Sequence, residues 1–229
     1  MGERIETEFF DVIMSRLEDD RVLFARADSM LRAICISEPL IEDACETPQD
    51  IRYHAEGPFV RDHLRLMLIV LYAVVEGKFH LREIEELHRL KGYEQEVDEL
   101  ETRLKDHAAW FEAFIFCHDA AKWAALLLRA PEQSRGAQLG FNVPLTYEPD
   151  VDIANRGEMR GRYLALYRQF VAMHPNESPQ EVQATFYRTY EIEVKYPYHD
   201  RMIHTPVYHA LLQRFILAHK LTDIDGAML

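Results

Sequence analysis

Hydrophobic positions recur at helical spacing along almost the whole chain. In residues 5–18 (IETEFFDVIMSRLE), Phe9, Ile13 and Leu17 stand four apart, the spacing of one face of an amphipathic helix. A second helix is expected over about 20–36. The stretch SEPLIEDACETPQDIRYHAEGP at 37–58 is punctuated by Pro48 and by Gly57–Pro58, and reads as a loop. The run LRLMLIVLYAVV then marks an apolar helix over about 59–76, ended by Gly77. Residues 80–106 are dense in charge with Leu and Ile at helical spacing, a pair of solvated helices broken near Gly92. A second apolar helix is predicted over 107–129. Residues 131–156 carry Pro, Gly and Asn throughout and read as one long loop, a feature that in a compact domain is usually functional. Helices resume at about 157–174, 178–193 and 204–222, and no strand pair is expected. The pattern predicts an all-α, single-domain bundle over 1–229, with a core from 53–229 and N-terminal helices in 1–50 packing on it. The two apolar helices should lie side by side at its centre.

Composition narrows the partners. The 229 residues hold 39 acidic against 26 Lys and Arg side chains, a net charge of −13. Coating nucleic acid needs a basic face, so that role is not expected. Three cysteines (Cys35, Cys45, Cys117) without a CxxC spacing suggest neither a disulfide framework nor a thiolate zinc site. The acidic start MGERIETEFF does not read as a signal peptide. The longest apolar run, about a dozen residues, is too short for a bilayer span. The expectation is a cytoplasmic protein with no membrane partner.

The chemistry concentrates in two places. Residues 114–123, FIFCHDAAKW, put a His, an Asp and a Lys into an apolar stretch, where burial is costly unless the groups pair or bind something. Lys122 follows His118 at i+4 and Asp119 at i+3, beside the same face. Imidazole and carboxylate can hold a divalent cation, which acidifies a bound water, while an ammonium neutralises phosphate. Upstream, HAEGPFVRDH at 54–63 places His54 and Glu56 in a loop and His63 one turn inside the apolar helix. A bland reading stands beside this one: a satisfied core histidine and a salt-bridged helix.

HAEGPFVRDH followed downstream by an apolar stretch with HDxxK resembles the HD-domain superfamily of metal-dependent phosphohydrolases. The first stretch is most similar to the HPEG…H entry of HD domains of the tRNA-nucleotidyltransferase type. The likeness covers about residues 53–123. It implies an all-helical fold in which His63 and the doublet His118–Asp119 bind a divalent ion (Mn, Mg, Fe, Co or Zn), with Lys122 at the family's HDxxK position. A distal Asp on a late helix would complete the set. Here His219 stands where that Asp is expected, and Asp223 lies one turn on, so either or both are candidates; Asp200, in the doublet His199–Asp200, is a further one. The charged helices of 80–106 look like an insertion between the first His and the doublet.

The resemblance implies a phosphohydrolase acting on a nucleotide or another small phosphate ester. Lys122, His54 and Glu56 would serve as catalytic groups, and Arg135 or Arg156 could clamp phosphate if they are more than solvated loop residues. Two alternatives remain open. A di-iron HD-type oxygenase would recruit His80, His199 or His204 as further ligands. A degenerate HD domain would bind a ligand or protein without turnover. His88, His107 and His174 sit in charged or boundary contexts and suggest no site.

Overall fold

The computed structural model describes residues 11–49, 54, 56–83, 93–120, 122, 126–141 and 153–195. Those residues are mostly helical. Helix α1 covers residues 11–17, and α2 is Arg21–Ser37, started by Asp20, whose carboxylate accepts from the Val22 and Leu23 amides. A short helix α3, Pro39–Cys45, lies where the sequence suggests only loop. Pro39 supplies the fixed φ of a first helical turn without losing a needed hydrogen bond.

Helix α4, Val60–Val75, is the spine of the molecule. It packs against α2, α3, α5 (Glu94–Asp106) and α6 (Ala108–His118). Val60, Leu64, Leu68, Ile69, Tyr72 and Val74 are all buried, so α4 is covered on nearly every side and its apolar run has no polar stripe. Gly77, at φ 68°, ends it, a left-handed position where a Cβ is disfavoured. The two apolar helices do pack together, as expected. The charged α5 is present and covers one flank, with Val97 its buried side chain; residues 84–92, including Gly92 and His88, lie outside the described ones.

Two expectations need correction. The second apolar helix is not continuous over 107–129: α6 ends at His118, and residues Leu127–Arg129 form strand β1. A strand pair therefore exists. β1 pairs antiparallel with β2, Glu193–Lys195, with Leu128 opposite Val194. An apolar run such as ALLLRA reads equally as strand or buried helix, and Pro131 disfavours helical backbone at the residue before it. Short helix α7 (Arg135–Gln138), capped by the Ser134 hydroxyl on the Ala137 amide, also interrupts the long loop.

Helix α8 (Ile153–Met173) begins inside the stretch expected to be loop, and α8 and α9 (Pro179–Tyr190) precede β2, the last described element. Ser178 and Glu181 form a reciprocal cap at the start of α9. These two helices and the β1–β2 pair bury a second apolar cluster rich in rings: Tyr163, Tyr167, Phe170, Phe186 and Tyr190. It meets the α1–α6 core through polar and aromatic contacts. Arg160 donates to the Asp43 carboxylate at 2.6 Å, Tyr187 to the Gln49 carbonyl at 3.0 Å, and Phe59 packs edge-on to Tyr167. These contacts tie Asp43, Gln49 and Phe59 to the second cluster. No helix among the described residues is long and apolar enough to cross a membrane.

Candidate metal centre

His63 lies on α4, one turn from its start; His118 is the last residue of α6, and Asp119 caps that helix. Since α4 and α6 pack side by side, the three meet. His118 Nε2 stands 3.4 Å from His63 Nε2, and Asp119 Oδ2 lies 3.6 Å from the former and 4.0 Å from the latter. Ending α6 at the doublet matters. Within a helix the two side chains would diverge by about 100°, whereas the cap turn brings their ligand atoms together.

The surroundings fix which nitrogen of each ring is free. His63 Nδ1 lies 2.9 Å from Glu56 Oε1, and His118 Nδ1 lies 2.8 Å from the Ile115 carbonyl. A carboxylate and a carbonyl can only accept, so each Nδ1 carries the hydrogen and each Nε2 presents a lone pair. Burial holds His118 below the ordinary imidazole pKa, although the Asp119 charge works the other way, which favours the neutral ring. With both rings in these tautomers, two lone pairs converge on an Asp119 oxygen that also accepts from Lys122 at 2.7 Å, an arrangement that a cation can bridge. Ligands about 2.1 Å from a tetrahedral centre are roughly 3.4 Å apart. The spacings found here, 3.4 to 4.0 Å, suit such a centre with slight closure.

Glu56 is the orienting group. Its Oε1 lies 2.9 Å from both His54 Nδ1 and His63 Nδ1. Burial alone would raise its pKa, but these two imidazoles outweigh it and bring the carboxyl down to about 2. It is ionised at any working pH and steers His63, the usual partnership of a carboxylate with a ligating histidine. His54, Glu56 and His63 also have donor atoms close enough to form a ligand group of their own. Their 2.9 Å contacts are hydrogen bonds between the members, so the lone-pair cluster of His63, His118 and Asp119 is the better cation site.

Lys122 is buried against the cluster's carboxylate. Its Nζ donates to Asp119 Oδ2 at 2.7 Å, and the two side chains are 7% and 1% exposed. It balances the charge of a buried carboxylate.

The loop before α4 explains its glycine. The Phe59 amide donates to Asp62 Oδ2 at 3.0 Å, and burial pushes the Asp62 carboxyl up to about 6 against the opposing pull of that amide. Gly57, at φ 154°, lies so close that a Cβ there would stand 2.5 Å from the Asp62 carboxyl. Gly57→Ala should therefore cost about 1–3 kcal/mol and pull Glu56 away from His63. Urea denaturation and metal titration of the variant should both move; if neither does, the loop is not held by this contact.

Beside the cluster opens a pocket of about 500 Å³. His54, Glu56 and His63 form its polar part, and Leu81 with residues of α4, α5 and α6, among them Leu66, Val70, Leu104, Phe111 and Phe114, forms the rest. Trp110, Phe114 and His118, four apart on α6, stack in a row, which sets the plane of the His118 ring. That i, i+4, i+8 row is visible in the sequence but carries no weight until the pocket it borders is known.

The other candidates are elsewhere. His80 pairs with Glu101 on the surface, His174 bonds the Phe170 carbonyl, and His107 precedes α6. The Arg135 guanidinium lies over the Tyr190 ring. His219, Asp223, His199, Asp200 and His204, and the side chain of Arg156, lie outside the described residues. Compared with protein families, curated proteins and solved structures, the chain matches none, so the functional reading rests on the helical fold and on the His63–His118–Asp119 cluster, both compatible with an HD domain.

Proposed function

We propose that the protein is a metal-dependent phosphohydrolase of HD type acting on a small phosphate ester. The observation that carries this reading is the convergence of two imidazole lone pairs and a buried carboxylate at 3.4 to 4.0 Å, each imidazole oriented by its own acceptor. His63, His118 and Asp119 would hold a divalent ion, and a nitrogen-rich donor set of this kind favours Fe²⁺, Mn²⁺, Co²⁺ or Zn²⁺ over Mg²⁺. Such an ion supplies an acidified water and polarises a phosphoryl oxygen.

The chain's own groups do the rest. Glu56 holds the His63 ring by accepting from Nδ1, and Lys122 balances the charge of the buried Asp119 carboxylate. His54, whose Nδ1 is committed to Glu56, keeps Nε2 for a proton. It would take one from the attacking water or return one to the leaving oxygen at the pocket's polar part. Overall, a phosphate ester and water give an alcohol and inorganic phosphate.

The test is phosphate release from a panel of monoesters by protein loaded in turn with Mn²⁺, Fe²⁺, Co²⁺, Zn²⁺ and Mg²⁺. Release should depend on the metal and disappear in His118→Ala. A protein that takes up no metal after loading would sink the reading.

A second reading draws on one specific observation. Two histidines and one carboxylate with open positions are also the ligand set of non-haem iron oxygenases, and the neighbouring pocket is apolar. Oxygen consumption by the Fe²⁺-loaded protein, with no phosphate release, would favour oxidation at the same cluster.

A further inference from the structure

The ligand's shape can be read from the pocket. At about 500 Å³ it has the size of a small-molecule site, and its polarity is segregated. His54, Glu56 and His63 form one hydrogen-bonded group in its lining. Apart from that group the described lining is aliphatic and aromatic, from α4, α5, α6 and Leu81. No Lys, Arg, amide or hydroxyl side chain is among these residues. A purine and a ribose would bring several donors and acceptors into this space, and each one left without a partner is costly. A hydrocarbon chain or plain ring would bring none and would gain from every apolar group covered.

We infer that the site takes an amphiphilic ester: a phosphate head at the His63–His118–Asp119 cluster and an apolar alkyl or aryl group in the Leu66–Val70–Leu104–Phe111–Phe114 pocket. The head rests on the phosphohydrolase reading; the tail rests only on the pocket. Nucleotides are then poor ligands, a narrower expectation than the sequence supports. Met67, an unbranched and adaptable side chain in the lining, suits tails of varied outline.

The probes are n-alkylphosphonates of two to eight carbons, which carry the head but cannot be hydrolysed at an ester bond. Their binding is followed by calorimetry to the Mn²⁺-loaded and the metal-free protein. Affinity for the loaded protein should rise about fourfold per added methylene until the pocket is filled. Leu100→Glu should flatten that rise: Leu100 lines the pocket and is 44% exposed, so the change places a carboxylate at the rim without disturbing the core. A flat series on the loaded protein, with binding that still needs metal, overturns the tail and leaves the phosphohydrolase reading standing; it is also the result if another part of this chain fills the pocket. A rising series that ignores the metal upholds the pocket and removes the phosphate head. Absence of binding by every member overturns both.

Discussion

Asp119→Ala should be the most damaging single change in the protein, lowering stability by about 3–5 kcal/mol even without metal. The Asp119 carboxylate is 1% exposed and holds the Lys122 ammonium at 2.7 Å. Removing it strips a buried cation of its closest anion and leaves a gap in the turn that ends α6. The Lys122→Met and Asp119→Leu changes together should recover most of the loss, because a buried ion pair replaced by apolar groups of similar size is often neutral. The double variant should nevertheless bind no metal. Urea denaturation of the metal-free proteins measures the first effect, and elemental analysis after loading measures the second. If Asp119→Ala is as stable as the parent, the pair contributes little. If the double variant still takes up metal at full stoichiometry, Asp119 is not a ligand.

Metal binding should stabilise the parent protein strongly. An ion that binds the folded chain alone, at a hundred times its Kd, adds about 2.7 kcal/mol. For a chain of this length that is a rise in Tm of roughly 5–11 °C. His63→Ala and His118→Ala should abolish the rise while changing the metal-free Tm much less, since His63 is partly exposed at the pocket and neither ring fills the apolar core. Glu56→Gln should weaken metal affinity by about 10–100-fold without abolishing it, as expected for a group that orients a ligand. The sequence of effects matters more than any one value. If Glu56→Gln proves worse than His63→Ala, Glu56 itself binds the metal, in the cluster it forms with His54 and His63. If no variant changes the rise, the ion binds elsewhere.

Several elements and the candidate ligands were legible where neighbours along the chain carry the signal. The apolar run of α4, the Gly77 stop and the Ser178–Pro179 start of α9 follow from periodicity and backbone preference alone. The pattern HAEG…H with a later HD doublet points to His63, His118 and Asp119 as ligands and names their neighbours His54, Glu56 and Lys122. Where those neighbours' side chains turn was not legible. Lys122 reads as a cation for phosphate and is found folded inward on Asp119, because burial and pairing depend on where α6 ends. The strand β1 was hidden in an apolar run that suits helix equally well, and only its pairing with β2, some 65 residues later, decides between them.

By itself, then, the sequence determines the largely helical build, the place of α4 and the start of α6, and the residue types able to ligate a cation. Each of these is a property of neighbours along the chain. The tertiary structure alone decides that α4 and α6 bring His63 and His118 to 3.4 Å, which ring nitrogens are left free, and that an apolar pocket from three helices stands beside them. The His63–His118 approach joins residues more than fifty positions apart, the ring orientations depend on backbone turns that periodicity does not fix, and hydrophobic spacing says which face of a helix is buried without saying against what.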